Sequence, residues 1–176
     1  NSFMAASKPY VSPSLSYETL EETLDVKPKT EQLFIGIPRE DSFNENRIAL
    51  SPEAVGVLVA NGHDVVLETK AGEGANYSDR DYSDAGAKIA YDKKEVYNAD
   101  VLVKSAPVSE SECSFLKPNQ YIISPIHLSV MKKEIIEKMM EKRITALSFE
   151  NLKDASGHNP IVRSMSEIAG SAVILI

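Results

Sequence analysis

From Leu33 to its end the chain alternates short apolar runs with segments of helical spacing. The runs are LFIGI (33–37), DVVLE (64–68), AKIA (87–90), DVLVKS (100–105), QYIISPI (120–126) and ITALSFE (144–150). Several are apolar on consecutive residues rather than on every second one, the pattern of strands covered on both faces. Between them lie SPEAVGVLVANG, SDRDYSDAG, DKKEVYNA, SESECSFLKP and VMKKEIIEKMMEKR. The first of these opens on Ser51 as N-cap with Pro52 in the first turn, and it closes on Asn61-Gly62. The order of elements predicts an α/β fold: a doubly wound, mostly parallel sheet with helices on both faces.

Such sheets are flavodoxin-like or Rossmann-like, and their ligands bind beyond the carboxyl ends of the strands. The polar residues that follow each apolar run are therefore the candidates for chemistry. They are Arg39 and Glu40, then Arg47 in the next loop, Lys104, His127 and Glu150. Arg47 offers a planar fork that fits a carboxylate, and Lys104 a compact ammonium that can polarise a carbonyl oxygen, a pairing suited to a 2-oxo acid. His127 titrates near neutrality and can pass a proton. Each also has a plainer reading: Arg47 paired with Glu45 or Asp41, His127 satisfied by a backbone carbonyl, Glu150 capping the next turn. A lysine ending an apolar strand needs some partner. Met165 by composition alone reads as core.

Residues 1–32 differ in character, rich in Ser and Pro and then acidic, with a short helix expected around Glu18–Leu24. They read as an amino-terminal extension. The whole chain of 176 residues suits one domain, and 43% hydrophobic with 26% charged residues is ordinary globular composition. Net charge is −7 with no Lys/Arg cluster, so nucleic acid is not an expected partner. No apolar run approaches the ~18 residues of a membrane span and the start is unlike a signal peptide, so a cytoplasmic protein is expected. The one cysteine, Cys113, excludes an internal disulfide and a multi-cysteine metal site, and without a cationic neighbour in sequence it reads as an inert thiol. His63 and His158 read as structural or surface groups.

The glycine-bearing stretch ETKAGEGANYSD (68–79) has Gly72 and Gly74 but lacks a third glycine for a dinucleotide fingerprint, and Glu73 would face a pyrophosphate. It reads as a turn. No phosphate loop, HExxH zinc motif or GxSxG elbow occurs. No cofactor-binding or metal residue is assigned in this chain.

Four motifs in order, GIPREDSFNENRIALSPEAVGVLVANGHDVVLETKAGEGANYSD, SPIHL, ALSFENL and MSEIAG, resemble the amino-terminal part of the alanine dehydrogenase and nicotinamide nucleotide transhydrogenase alpha subunit family. The likeness runs from about Phe34 to the end. It implies an NAD-dependent oxidoreductase of L-alanine catabolism, interconverting L-alanine with pyruvate plus ammonium, and a substrate domain with an NAD-binding Rossmann domain inserted in it. By residue, it implies Arg47 on the substrate carboxylate, His127 as acid/base, Met165 lining the pocket, and Lys104 as substrate-binding and catalytic. VKSAP departs from the family's K-x-K-E-P, being one residue tighter with a single lysine. Glu150 is a supporting candidate. SPIHL favours the alanine dehydrogenase branch over the transhydrogenase one.

On this reading residues 33–163 form the amino-terminal part of the substrate domain, and 164–176 start the helix leading to an NAD domain outside the sequence. The stretch alone is expected to be inactive, and the whole protein to be a homo-oligomer, hexameric as is usual in the family. A transhydrogenase alpha-subunit-like domain and a non-enzymatic module for small acids or a partner chain are the alternatives.

Overall fold

The computed structural model describes residues 31–41, 45–129 and 131–173, so the helix expected at 18–24 lies outside it. Six strands, β1 (Phe34–Ile37), β2 (Asp64–Glu68), β3 (Lys88–Ala90), β4 (Val101–Val103), β5 (Tyr121–Ser124) and β6 (Thr145–Ser148), form one sheet in the order β3-β2-β1-β4-β5-β6. Every neighbouring pair is parallel. The chain winds outward from β1 to β3, then returns to lay β4 on the other side of β1. That reversal is the topological switch point, and its crevice opens at the carboxyl ends of β1 and β4. The doubly wound α/β sheet expected from the sequence is the fold.

The helices are α1 (Pro52–Ala60), α2 (Asp79–Asp84), α3 (Lys93–Tyr97), α4 (Lys133–Glu141) and α5 (Pro160–Val173). Local chemistry starts and stops them. The Ser51 hydroxyl accepts from Ala54 N at the head of α1, and Gly62, at φ +88°, turns the chain into β2. Ser78 and Asp81 form a reciprocal capping box on α2, and Asp92 caps α3. The segment expected as a helix at SESECSFLKP yields only a 3-10 turn at Glu112–Ser114. β6 ends at Ser148, and Glu150 lies in a following 3-10 turn.

Alternation along the strands splits the core into two layers. Val66, Leu102 and Ile122 face α3, the 112–114 turn and α4, joined by Val96, Tyr97, Cys113 and Ile135. Ile35, Ile37, Val65 and Leu67 face α1 and α2, joined by Val55 and Tyr82. Gly36 is the point of closest approach: a Cβ there would lie 2.5 Å from Val96 O and 2.9 Å from Ala99 Cβ, so α3 sits directly on β1. Among the described residues no helix is long and apolar enough to cross a membrane.

Candidate functional site

Two carboxylates close over one lysine at the switch point. Lys104, immediately after β4, is 1% exposed, with Nζ 2.7 Å from Glu40 Oε2 and 2.8 Å from Glu112 Oε1. Glu40 follows β1, and its Oε1 accepts from Ser105 N at 2.6 Å and Ala106 N at 3.2 Å, stitching the two strand ends together. Glu112 Oε1 also accepts from the Tyr97 hydroxyl at 2.6 Å, and its Oε2 from Ser109 N at 2.7 Å. Burial is the largest effect on both ions of the Lys104–Glu112 pair and opposes charge on each. The opposite charges outweigh it, so the lysine is held above and Glu112 below its ordinary range. Burial and the neighbouring Glu112 charge push the Tyr97 phenol far up, so it stays a neutral donor.

Arg47 lies on the loop between β1 and α1, and three contacts fix that loop. The Ser105 hydroxyl donates to Arg47 O at 3.1 Å, the Tyr82 hydroxyl donates to Leu50 O at 2.7 Å, and Gly74 packs so closely that a Cβ would lie 2.8 Å from Asn46 Cα. The Arg47 side chain is 57% exposed and its fork is engaged, with Nε 2.8 Å from Glu45 Oε1 and a terminal nitrogen 2.6 Å from Glu45 Oε2. The hydrogen bond to Glu45 raises the Arg47 pKa, and its counterpart lowers that of Glu45.

Arg47, Lys104 and Ser105 supply the polar part of a cleft of about 580 Å³ whose other walls are apolar, among them Val103, Ile123, Phe149 and, from α5, Met165. A concave apolar site with few polar groups is the usual form of a small-molecule site. Arg47 is the charged group the cleft offers an anion, whereas the Lys104 ammonium is engaged by Glu40 and Glu112, neither of which lines the cleft.

His127 and Glu150 stand apart from the walls of that cleft. They sit beyond β5 and β6, half-exposed, with Nε2 and Oε1 3.6 Å apart, an ion pair only when the imidazole is protonated. Arg39 is exposed, and its backbone N donates to Glu68 at 2.9 Å. His63 Nδ1 accepts from Leu33 N, and His158 lies in a loop beside Asp154. Cys113 is buried, and burial raises its pKa, as an inert thiol requires. Glu112 escaped the sequence reading because it lies in a segment with no strand end to mark it. The one available signal was the unpaired lysine, which demanded a buried acid.

The glycine stretch offers nucleotide no cradle. The space a side chain would take at Gly72 is filled by Tyr77 and Tyr82, and at Gly74 by the Asn46 backbone, so Gly72 serves packing on the two tyrosines and Gly74 packing against the Arg47 loop. This stretch does not fit the pyrophosphate of NAD.

A family model described as alanine dehydrogenase/PNT, N-terminal domain, matches residues 36–169. An alanine dehydrogenase of Staphylococcus epidermidis is 36% identical over 136 residues, 77% of this chain and 36% of that protein. Alanine dehydrogenase 2 of Staphylococcus aureus is 35% identical over the same length and shares of the two chains. A solved L-alanine dehydrogenase superposes with a TM-score of 0.72 at 34% identity, over 77% of this chain and 37% of that one. A transhydrogenase from Sinorhizobium meliloti superposes with a TM-score of 0.60 at 32% identity, over 66% of this chain and 34% of that one. The chain thus spans little more than a third of the curated relatives it matches.

Proposed function

Because this chain belongs to the alanine dehydrogenase/PNT N-terminal domain family, we propose that it forms the substrate-binding part of an NAD-dependent alanine dehydrogenase, which interconverts L-alanine with pyruvate and ammonium. The observation that carries this reading is that Arg47 and Lys104, from the loops after β1 and β4, line one cleft. In this reading Arg47 exchanges Glu45 for the substrate carboxylate, a two-point charge-assisted contact. Lys104 donates to the carbonyl oxygen, drawing electron density away from the carbon that reacts. Met165 borders the apolar part. His127, with Glu150 beside it, holds or moves a proton at the substrate heteroatom, which requires it to reach the cleft when substrate is bound.

NAD, the hydride carrier of this reaction, is assigned to the part of the relatives' length that this chain does not span. Residues 33–163 then serve as the amino-terminal part of the substrate domain, and the stretch alone binds acid without turning it over. A homo-oligomer working in the cytoplasm belongs to the same reading.

The test is NADH oxidation by the full-length protein supplied with pyruvate and ammonium. Turnover requiring both is expected. Arg47→Ala, at an exposed position that should not disturb folding, is expected to raise the pyruvate KM about 10- to 150-fold, the range for losing a hydrogen bond to a charged group, while leaving NADH binding unchanged. No turnover by a folded protein would move the assignment to a transhydrogenase-like or purely binding role, and an unchanged KM would remove Arg47 from the site.

A further inference from the structure

We propose that Ser105 is a specificity-determining residue of the cleft, its hydroxyl oxygen accepting an N–H from the nitrogen of a bound amino acid. This rests on the reading of the cleft as the site of a small acid. Ser105 is 7% exposed and lines the cleft. The β4 ladder continues up to it, because Lys104 N still donates to Ile123 O at 2.9 Å. Strand alternation therefore turns Ser105 to the side of Val101 and Val103, which line the cleft with it.

The proton of this hydroxyl is already committed. It goes to Arg47 O at 3.1 Å in a partly buried bond, and turning it to a ligand would strip that carbonyl of its donor. What Ser105 has left for the cleft is the oxygen itself, with its lone pairs. The other polar groups there do not take that part. Arginine and lysine carry donors only, and the thioether of Met165 is a weak acceptor. Among the described side chains that line the cleft, Ser105 thus supplies the one oxygen acceptor.

The same bond sets where that acceptor stands. It ties Ser105 to the main chain of Arg47, so the oxygen lies within the length of one arginine side chain of the guanidinium that takes the ligand's carboxylate. An amino acid carries its nitrogen on the carbon next to the carboxylate, so an acid held by Arg47 keeps the nitrogen close by. The serine backbone is fixed as well, with Ser105 N donating to Glu40 Oε1 at 2.6 Å. The consequence is discrimination. The N–H of an amino acid meets a lone pair, whereas the oxo oxygen of a 2-oxo acid sets one acceptor against another. The neighbouring walls at Val103 and Ile123 are apolar, so an N–H turned away from Ser105 finds no replacement on them.

The test compares the affinities of L-alanine and pyruvate by isothermal titration calorimetry, on the full-length protein with NADH present and ammonium absent, so that neither acid turns over. In Ser105→Ala, L-alanine affinity is expected to fall about 10- to 150-fold further than pyruvate affinity, the range for losing a hydrogen bond to a charged group. Ser105→Thr keeps the oxygen and should hold the wild-type ratio. A serine that only props the Arg47 loop would weaken both acids alike, and an unchanged ratio in the folded variant overturns the proposal. Should Ser105→Ala not fold, Ser105→Cys, whose sulfur is a weak acceptor, decides by the same ratio. Binding of both acids without the difference leaves the reading of the cleft standing and removes Ser105 from it. A wild type that binds neither acid overturns that reading and the proposal with it.

Discussion

Glu45 occupies the fork of Arg47 at two points, 2.8 and 2.6 Å, in the geometry a ligand carboxylate would take. An acid that binds Arg47 must therefore displace an internal one. Arg47 is the exposed member, and exposed ion pairs hold only about 0–1 kcal/mol, so the exchange is cheap. Glu45→Gln should tighten pyruvate binding by roughly two- to fivefold, read by isothermal titration calorimetry, and leave the melting temperature nearly unchanged. Weaker or equal binding would show that Glu45 steadies Arg47 instead of competing for it.

Gly74 and Asn46 touch where no side chain fits. A Cβ at 74 would lie 2.8 Å from Asn46 Cα and 2.9 Å from its carbonyl oxygen, and both are backbone atoms of the loop that carries Arg47. Gly74→Ala must push that loop away, at about 1–3 kcal/mol of stability. The displacement is passed one residue along to Arg47, so pyruvate affinity should fall together with the denaturation midpoint. A full loss of stability with unaltered pyruvate affinity would separate the glycine turn from the site.

Much of this was legible in the chain before any coordinates. Ser51, Pro52 and Asn61-Gly62 bracket α1 by local chemistry alone, and the consecutive apolar runs mark strands covered on both faces. Lys104 ending such a run announced a buried partner. What escaped was non-local. Glu40 is a candidate in the sequence, but its pairing with Lys104 arises only because β1 and β4 become neighbours, and Glu112 meets Lys104 only because a segment with helical spacing settles into a short 3-10 turn. His127 fails to line the cleft for a similar reason: a strand end places a residue at the correct edge, but the direction of its side chain depends on packing that the spacing does not encode.

Removing the lysine exposes the cluster's electrostatics. Lys104→Ala leaves Glu40 and Glu112 buried without a cation, a loss of about 3–5 kcal/mol near neutral pH. In the wild type Glu112 is held below its ordinary 4.5, so the native state gains stability above that value and loses it as the pH falls through the lower native one. In the variant the cation that stabilises the Glu112 charge is gone. Urea midpoints should therefore differ most at pH 7 and converge as the pH falls below 4.5. A constant difference across that range would mean that lost packing, rather than unpaired charge, dominates. The destabilisation also makes Lys104→Ala a poor activity control, for which Lys104→Arg is better suited.

Tyr82 supplies the alkaline counterpart. Its ring is fully buried against α1 and β2, and its hydroxyl donates to Leu50 O at 2.7 Å on the Arg47 loop. Burial, with smaller contributions from Tyr77 and nearby acids, pushes the phenol from 10.0 up to about 12. Between those values the native state binds the proton more tightly than the unfolded chain, so stability is intact below pH 10 and drains away as the pH rises toward 12. Tyr97 and Lys104 are shifted in the same direction and add to the decline. Tyr82→Phe removes one titrating group and one hydrogen bond. At pH 8 it should cost about 1 kcal/mol, because the Leu50 carbonyl loses its donor, whereas between pH 10 and 12 its stability should fall less steeply than that of the wild type. Parallel curves in that window, measured by urea denaturation, would show that Tyr82 keeps its ordinary pKa despite burial, and that the alkaline loss belongs to the Lys104 cluster.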